Sequence, residues 1–197
     1  MFTGIVREVG TVVSVTRAGG VHRLSVLAPK TAAGLSVGES VAINGVCLSV
    51  VQAGAGRLEF EMIPETRRLT NLAKLSAGSR VNVEPSLSLS DRINGHLVLG
   101  HVDGVGRIVK QQRQAGQIRL TMAGGGAWRG YLVPKGPVTV DGVSLTVGDR
   151  VTGNTFSVFL IPETIEKTTL GARRTGDLVN IEVDYAAKLV AQLVRHR

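Results

Sequence analysis

A thiol and three hydroxyls stand at matched places in this chain. Cys47 and Ser49 lie two residues apart in VAINGVCLSV, and Ser144 and Thr146 lie two apart in VTVDGVSLTV. On an extended strand such residues project from one side, so each pair shares a face while Leu48 and Val50 take the other. A thiol or hydroxyl beside a base can add to a substrate, polarise it or hydrogen-bond it. The same residue types also serve as small buried groups and backbone partners, and periodicity alone leaves both readings open. His96 and His101, in NGHLVLGHVDG, are five residues apart and point to opposite sides of an extended chain, so they do not form a metal-binding pair. His101 shares a face with Asp103, a carboxylate that either orients an imidazole or caps a turn. Lys135, in VPKGPV, is either a functional cation or a solvated loop lysine. Thr3, Glu65, Thr66, Glu163 and Thr164 read as ligand partners or helix-start caps, with capping the simpler account of Thr66 and Thr164.

The two pairs match because the chain holds two copies of one domain. VAINGVCLSV at 41–50 and VTVDGVSLTV at 138–147 are identical at five of ten positions. Ile63-Pro64-Glu65-Thr66 recurs as Ile161-Pro162-Glu163-Thr164, and GSRVNVE at 78–84 recurs as GDLVNIE at 176–182. The offset is 141 − 44 = 97 early and 161 − 63 = 98 later, a one-residue loop insertion. Two similar pockets suit two similar molecules, and Cys47 against Ser144 makes them chemically unequal. That pattern fits a reaction between two copies of one substrate.

Each copy reads as strands. Runs rich in Val, Ile and Thr cover 5–15, 21–28, 39–52, 57–63 and 79–85, then 101–110, 117–123, 136–149, 155–161 and 177–183. Asn44-Gly45 and Asp141-Gly142 signal hairpins or bulges, because both residue types tolerate positive φ. A helical turn or two should follow each Ile-Pro-Glu-Thr, with Pro at the helix start. The 25 glycines punctuate these short runs, and six or so strands per copy favour a closed barrel that removes exposed edges. The organisation is therefore 1–97, 98–184 and a terminal helix over 185–197. That helix gathers Ala186, Leu189, Val190, Leu193 and Val194 on one face, which either packs on its own domain or joins sister helices.

Composition excludes several classes. Hydrophobic residues make 43% and charged residues 19%, which suits neither a disordered tail nor a membrane protein. No apolar run approaches the roughly 18 residues of a spanning helix. The start MFTGIVREVG lacks a basic, then apolar, signal pattern, and one cysteine excludes internal disulfides and paired-cysteine zinc sites. A cytoplasmic location is expected. The charge, 23 − 15 = +8, invites nucleic acid, but the basic residues are scattered and seven aromatics are too few for stacking platforms. Neither a nucleic acid nor a membrane is an expected partner.

MFTGI, NGVCLS, NGHLVLGHVDG, VPKG, DGVSLTV and LIPET followed by KTTLG resemble the signatures of the riboflavin synthase α-chain family, collinear over nearly the whole chain. The resemblance implies an all-β fold of two tandem six-stranded antiparallel Greek-key barrels, with a C-terminal α-helix holding a homotrimer. It implies conversion of two 6,7-dimethyl-8-ribityllumazine molecules to riboflavin and 5-amino-6-ribitylaminouracil by four-carbon transfer. It implies no metal and no organic cofactor. Each site would lie between the N-terminal barrel of one subunit and the C-terminal barrel of another.

Carried onto this chain, an N-terminal pocket would use Gly4, Ile5, Val6, Cys47, Leu48, Ser49, Glu61, Met62, Ile63, Pro64, Glu65 and Thr66. A C-terminal pocket would use Gly100, His101, Val102, Lys135, Ser144, Leu145, Thr146, Leu160, Ile161, Pro162, Glu163, Thr164 and Ile165. Phe2 and Thr3 lie near the chemistry. Cys47, Ser49, His101, Lys135, Ser144 and Thr146 are the candidate catalytic groups, with no single base assigned. Ser49 stands where the family usually has Thr, which keeps the hydroxyl and loses a methyl. Lumazine synthase, which makes the substrate, is a further candidate partner. Non-catalytic lumazine-binding antenna proteins are the alternative within this fold.

Overall fold

Alternation of side chains along the strands sorts them into core and surface. Val46, Leu48 and Val50 are buried while Ser49 is exposed, and Val143, Leu145 and Val147 are buried while Thr146 is exposed. The computed structural model describes residues 1–195; the last two positions of the expected 185–197 helix lie outside the described residues. In the first copy, β1 (Glu8–Ala18), β2 (Val21–Leu27), β3 (Ser40–Ile43), β4 (Val46–Gly54), β5 (Arg57–Met62) and β6 (Arg80–Pro85) close into an antiparallel barrel. Their order is β1-β2-β5-β4-β3-β6, a Greek key in which β6 returns beside β3.

The second copy repeats this with β7 (Gly104–Gln114), β8 (Gln117–Ala123), β9 (Pro137–Val140), β10 (Val143–Thr146), β11 (Thr155–Leu160) and β12 (Leu178–Val183). Its order, β10-β9-β12-β7-β8-β11, is the same cycle cut between β10 and β11. There β10 ends at Thr146, and the seam is crossed by the Val147–Val158 bridge and a 2.7 Å bond from Gly148 N–H to the Ser157 carbonyl. Each copy has its own apolar core, Leu24, Leu58 and Phe60 among the first, Leu120, Phe156 and Ile181 among the second. Short helices α1 (Pro29–Ala32), α2 (Pro64–Leu69) and α3 (Pro162–Lys167) connect strands, and α4 (Tyr185–Arg195) ends the described chain. Among the described residues no helix is long and apolar enough to cross a membrane.

The copies meet across a local two-fold. Asn44-Gly45 has φ of 46° and 78°, Asp141-Gly142 47° and 76°, the paired positive values of a tight hairpin. These two turns touch back to back: a Cβ on Gly45 would sit 2.6 Å from Gly142 N, and the reverse contact is also 2.6 Å. Only glycine permits that approach. Around it, Asn82 Nδ2 donates to the Asp141 carbonyl and Asn180 Nδ2 to the Asn44 carbonyl, each at 2.9 Å. All four of these polar residues are buried, so the network fixes orientation as well as satisfying their groups.

The two-fold breaks at one charge. Asp141 is fully buried and accepts from Asn180 N–H at 2.8 Å, Asn71 Nδ2 at 2.7 Å and Arg173 Nη2 at 2.7 Å. Burial pushes its carboxyl up, and Arg173 pulls it back. The first copy has the neutral Asn44 and Leu75 at these two places. Asp141→Asn should therefore strand Arg173 and cost about 3 kcal/mol in denaturant unfolding. Adding Arg173→Leu, which removes the stranded guanidinium and puts there the residue type of Leu75, should recover most of that loss; a double variant no more stable than the single would refute this account.

Candidate active site

Strands β4 and β10 present Cys47, Ser49, Ser144 and Thr146 on their outer faces, and the arms that lie over them are exchanged between copies. Ser144 N–H donates to the Gly4 carbonyl at 2.8 Å, and Cys47 N–H to the Gly100 carbonyl at 2.9 Å. Both glycines have positive φ, 75° and 78°, and a Cβ on Gly4 or Gly100 would lie 2.7 Å from Ser144 Cβ or 2.6 Å from Cys47 Cβ. The arms also pair with each other, Phe2 N–H to the Val98 carbonyl at 2.8 Å and Val98 N–H to the Phe2 carbonyl at 3.0 Å. Phe2 is fully buried with Ala42 and Val98, which stabilises the exchange by about 2 kcal/mol.

The exchange corrects the expected grouping. Gly4, Ile5 and Val6 belong with Ser144 and the second barrel, whose core Val6 joins; Gly100, His101 and Val102 belong with Cys47 and the first, whose core Val102 joins. The grouping carried over from the resemblance was the opposite, because sequence proximity cannot reveal a swap between homologous units. Leu48, Met62, Leu145 and Leu160 point into the cores, so only their backbone can face a ligand. Ile63, Pro64, Glu65, Ile161, Pro162 and Glu163 are exposed, and Thr66, Thr164 and Ile165 half-buried. Glu61 pairs with Arg23 at 2.9 Å and Glu163 with Lys167 at 2.7 Å.

The capping account of the helix starts is also corrected. No side chain caps α2 or α3, where Ile63 and Ile161 hold the N-cap position. The capping hydroxyls are Thr70 and Thr168, which accept from Leu72 and Leu170 N–H at the following 3₁₀ turns. Thr3 is a buried donor to Glu84. Asp103 neither caps a turn nor binds His101; it accepts from Val183 N–H at 2.9 Å and pairs with Lys188 at 2.7 Å.

The roles of three residues here are not legible along the chain. His96 Nδ1 lies 2.8 Å from Ser144 Oγ, which makes a hydroxyl–imidazole pair on the second face. Burial holds this imidazole below its ordinary pKa, with the Asp184 charge opposing. Glu84 accepts from Thr3 N–H at 2.8 Å and Gly4 N–H at 3.1 Å, and Glu182 accepts from Leu99 N–H at 2.8 Å and Gly100 N–H at 3.1 Å. Burial raises both carboxyls, and the arm amides pull them down. The recurrence of Asn and Glu in GSRVNVE and GDLVNIE was the available signal for the two clamps.

Lys135 is exposed, pairs with Asp149 and adopts φ 65°, where the first copy has Gly38 at φ 92°. A lysine held in the left-handed region costs about 1 kcal/mol relative to glycine. A fold satisfied by glycine at this turn has no need of it.

The lumazine binding domain model matches residues 3–86 and again 99–184. The riboflavin synthase of Mycobacterium tuberculosis is 42% identical over 200 residues, covering 99% of this chain and 98% of its own. That of Brucella abortus is 38% identical over 205 residues, covering 100% of both. Two solved structures share the fold at low identity. LumP complexed with riboflavin has a TM-score of 0.86 at 19% identity, covering 93% of this chain and 100% of its own. LumP complexed with 6,7-dimethyl-8-(1'-D-ribityl) lumazine has 0.83 at 20%, covering 93% and 99%.

Two outcomes follow from this geometry. His96 should titrate below 6.5 by NMR, its ordinary value. Because the folded pKa is depressed, its contribution to stability is present above 6.5 and fades as pH falls through the lowered value. A midpoint at or above 6.5 contradicts the burial argument. Lys135→Gly should unfold no earlier than the parent, gaining up to about 1 kcal/mol, while turnover falls. Loss of stability with unchanged turnover would mean the lysine is structural.

Proposed function

The chain belongs to the riboflavin synthase family and is a transferase, and we propose that it dismutates two molecules of 6,7-dimethyl-8-ribityllumazine. One passes a four-carbon unit to the other, giving riboflavin and 5-amino-6-ribitylaminouracil. Donor and acceptor start identical, so what one loses the other gains, and the balance needs no outside oxidant, reductant or cofactor.

The observation that carries this reading is a pair of faces alike in backbone and unlike in chemistry. Like faces bind like molecules; unlike side chains decide which molecule donates. On the first face stand Cys47 and Ser49 beside the arm bearing His101. On the second stand Ser144 paired with His96, then Thr146, with Lys135 near its base. A neutral His96 whose Nε2 carries the proton accepts the Ser144 hydroxyl at Nδ1, which prepares Ser144 to polarise the lumazine or add to it. The 7-methyl protons of the lumazine are acidic because their anion spreads into the ring, so a modest base is enough. Holding the two heterocycles stacked replaces a bimolecular encounter and supplies much of the rate.

Assembly as a homotrimer is part of the same reading. The apolar face of α4 lies bare, with Leu189 47%, Val190 61%, Leu193 71% and Val194 68% exposed. Sister helices would cover it and bring the first face of one protomer to the second face of its neighbour. A cytoplasmic location and contact with lumazine synthase as supplier of the substrate complete the proposal. The antenna-type alternative shares the fold at 20% identity, against 42% for a named riboflavin synthase.

The decisive assay mixes purified protein with the lumazine alone and follows riboflavin, expecting one formed for every two lumazines consumed. Tight fluorescent binding without turnover would overturn the reading in favour of the antenna type. Ser144→Ala should lower kcat about 100-fold, and Cys47→Ala should differ from it in size. Equal, negligible effects of both would remove the case for unequal faces.

A further inference from the structure

The two barrels close one of their mouths with different chemistry. In the second copy, Ile118 of β8 is buried and Ile165 of α3 packs against the same core. In the first copy those places belong to His22 and Arg67. The register shows it: His22 pairs with Met62 as Ile118 pairs with Leu160. Arg67 is the fourth residue of Pro64–Leu69 as Ile165 is of Pro162–Lys167. His22 also continues the inward series of buried Leu24 and Val26.

The exchange of two isoleucines for two basic side chains is not neutralised from within. Arg67 Nη1 lies 3.2 Å from His22 Nε2, its Nη2 donates to the Ala73 carbonyl at 3.1 Å, and its shielded Nε has no partner among the described residues. A cleft of about 480 Å³ opens here, with Ser14, Thr16, Arg17, His22, Arg67 and Ser76 as its polar lining. Among the described residues lining it there is no Asp or Glu. Glu59 and Glu61 of the neighbouring strand are taken by Arg23. Burial first, then Arg67 and Arg17, hold the His22 imidazole below its ordinary value. The second copy shows that an Ile–Ile pair closes this mouth, so barrel packing does not call for the cations.

We infer that this cleft binds a phosphate-class oxyanion at a site separate from β4 and β10. Arg17 and Arg67 bring two guanidinium groups to the cleft and His22 an imidazole, with Ser76 beside them. Guanidinium groups hold tetrahedral oxyanions through paired, charge-assisted hydrogen bonds. The source is either free phosphate or the phosphoryl group of a small metabolite, since the chemistry presented is the same.

Inorganic phosphate is titrated into the full chain at constant ionic strength, balanced with chloride, while His22 is followed by NMR. Binding should saturate and raise the His22 pKa by about one unit, because a bound anion stabilises imidazolium. Glycerol phosphate in a parallel arm distinguishes the sources: tighter binding than phosphate points to a metabolite, equal or weaker binding to the free ion. The double variant His22→Ile with Arg67→Ile borrows the second copy's pair and should keep lumazine turnover while losing the response. Arg67→Gln should weaken binding at least about tenfold. The same shift with chloride alone, or an undiminished response in these variants, would refute the site.

Discussion

The exchange of the two arms is held by main-chain hydrogen bonds that each barrel makes only with the other copy's chain. Buried N–H and C=O groups must be paired. Cys47 N–H finds its acceptor on Gly100, and Ser144 N–H finds its acceptor on Gly4. Each arm is gripped from its own side by a buried glutamate, Glu84 or Glu182, so neither can leave without stranding amides and a carboxylate together. The Gly45–Gly142 contact sets how closely the barrels approach, and the arms depend on that distance. The two outer faces are therefore not independent modules; each is completed by residues from the other half of the chain.

On this shared frame six of the differences between the copies bear on chemistry, and most of them place a polar or charged group on one side only. Asn44 faces Asp141 across the two-fold, Leu75 corresponds to Arg173, Gly38 to Lys135, Cys47 to Ser144, His22 to Ile118 and Arg67 to Ile165. The backbone tolerates both members of each pair, so these choices cost little in fold and can serve function. Asp141 with Arg173 is a self-contained ion pair. Lys135 with Asp149 and Ser144 with His96 instead sit on the surface around β10. An internal duplicate acts as a control: where one copy is satisfied by an apolar or glycine residue, the polar residue in the other has a reason beyond packing.

Much of the architecture was legible along the chain because its causes are local. Period-two alternation in VCLSV and VSLTV places Leu48 and Leu145 in the cores and Ser49 and Thr146 outside, as observed. The Asn-Gly and Asp-Gly turns have the positive φ their residue types favour. Proline marks the start of α2 and α3, and the 3.6-residue spacing of Leu189, Val190, Leu193 and Val194 marks α4. The helix-start caps were misplaced by a few residues because Thr is equally suited to Thr66 and Thr70, and only backbone geometry separates them.

The sequence alone revealed the duplication, the strand-rich character of each copy, the outward pairs Cys47/Ser49 and Ser144/Thr146, and the resemblance to riboflavin synthases. Each rests on patterns repeated within a few residues or between two copies of one segment. Tertiary structure alone decided that Gly4 serves Ser144 and Gly100 serves Cys47, that His96 reaches Ser144, and that Glu84 and Glu182 clamp the arms. The physical reason is that homologous units offer each arm two nearly equivalent docking edges. Which edge it takes depends on how the hairpin glycines bring the barrels together, a distance that no local pattern encodes.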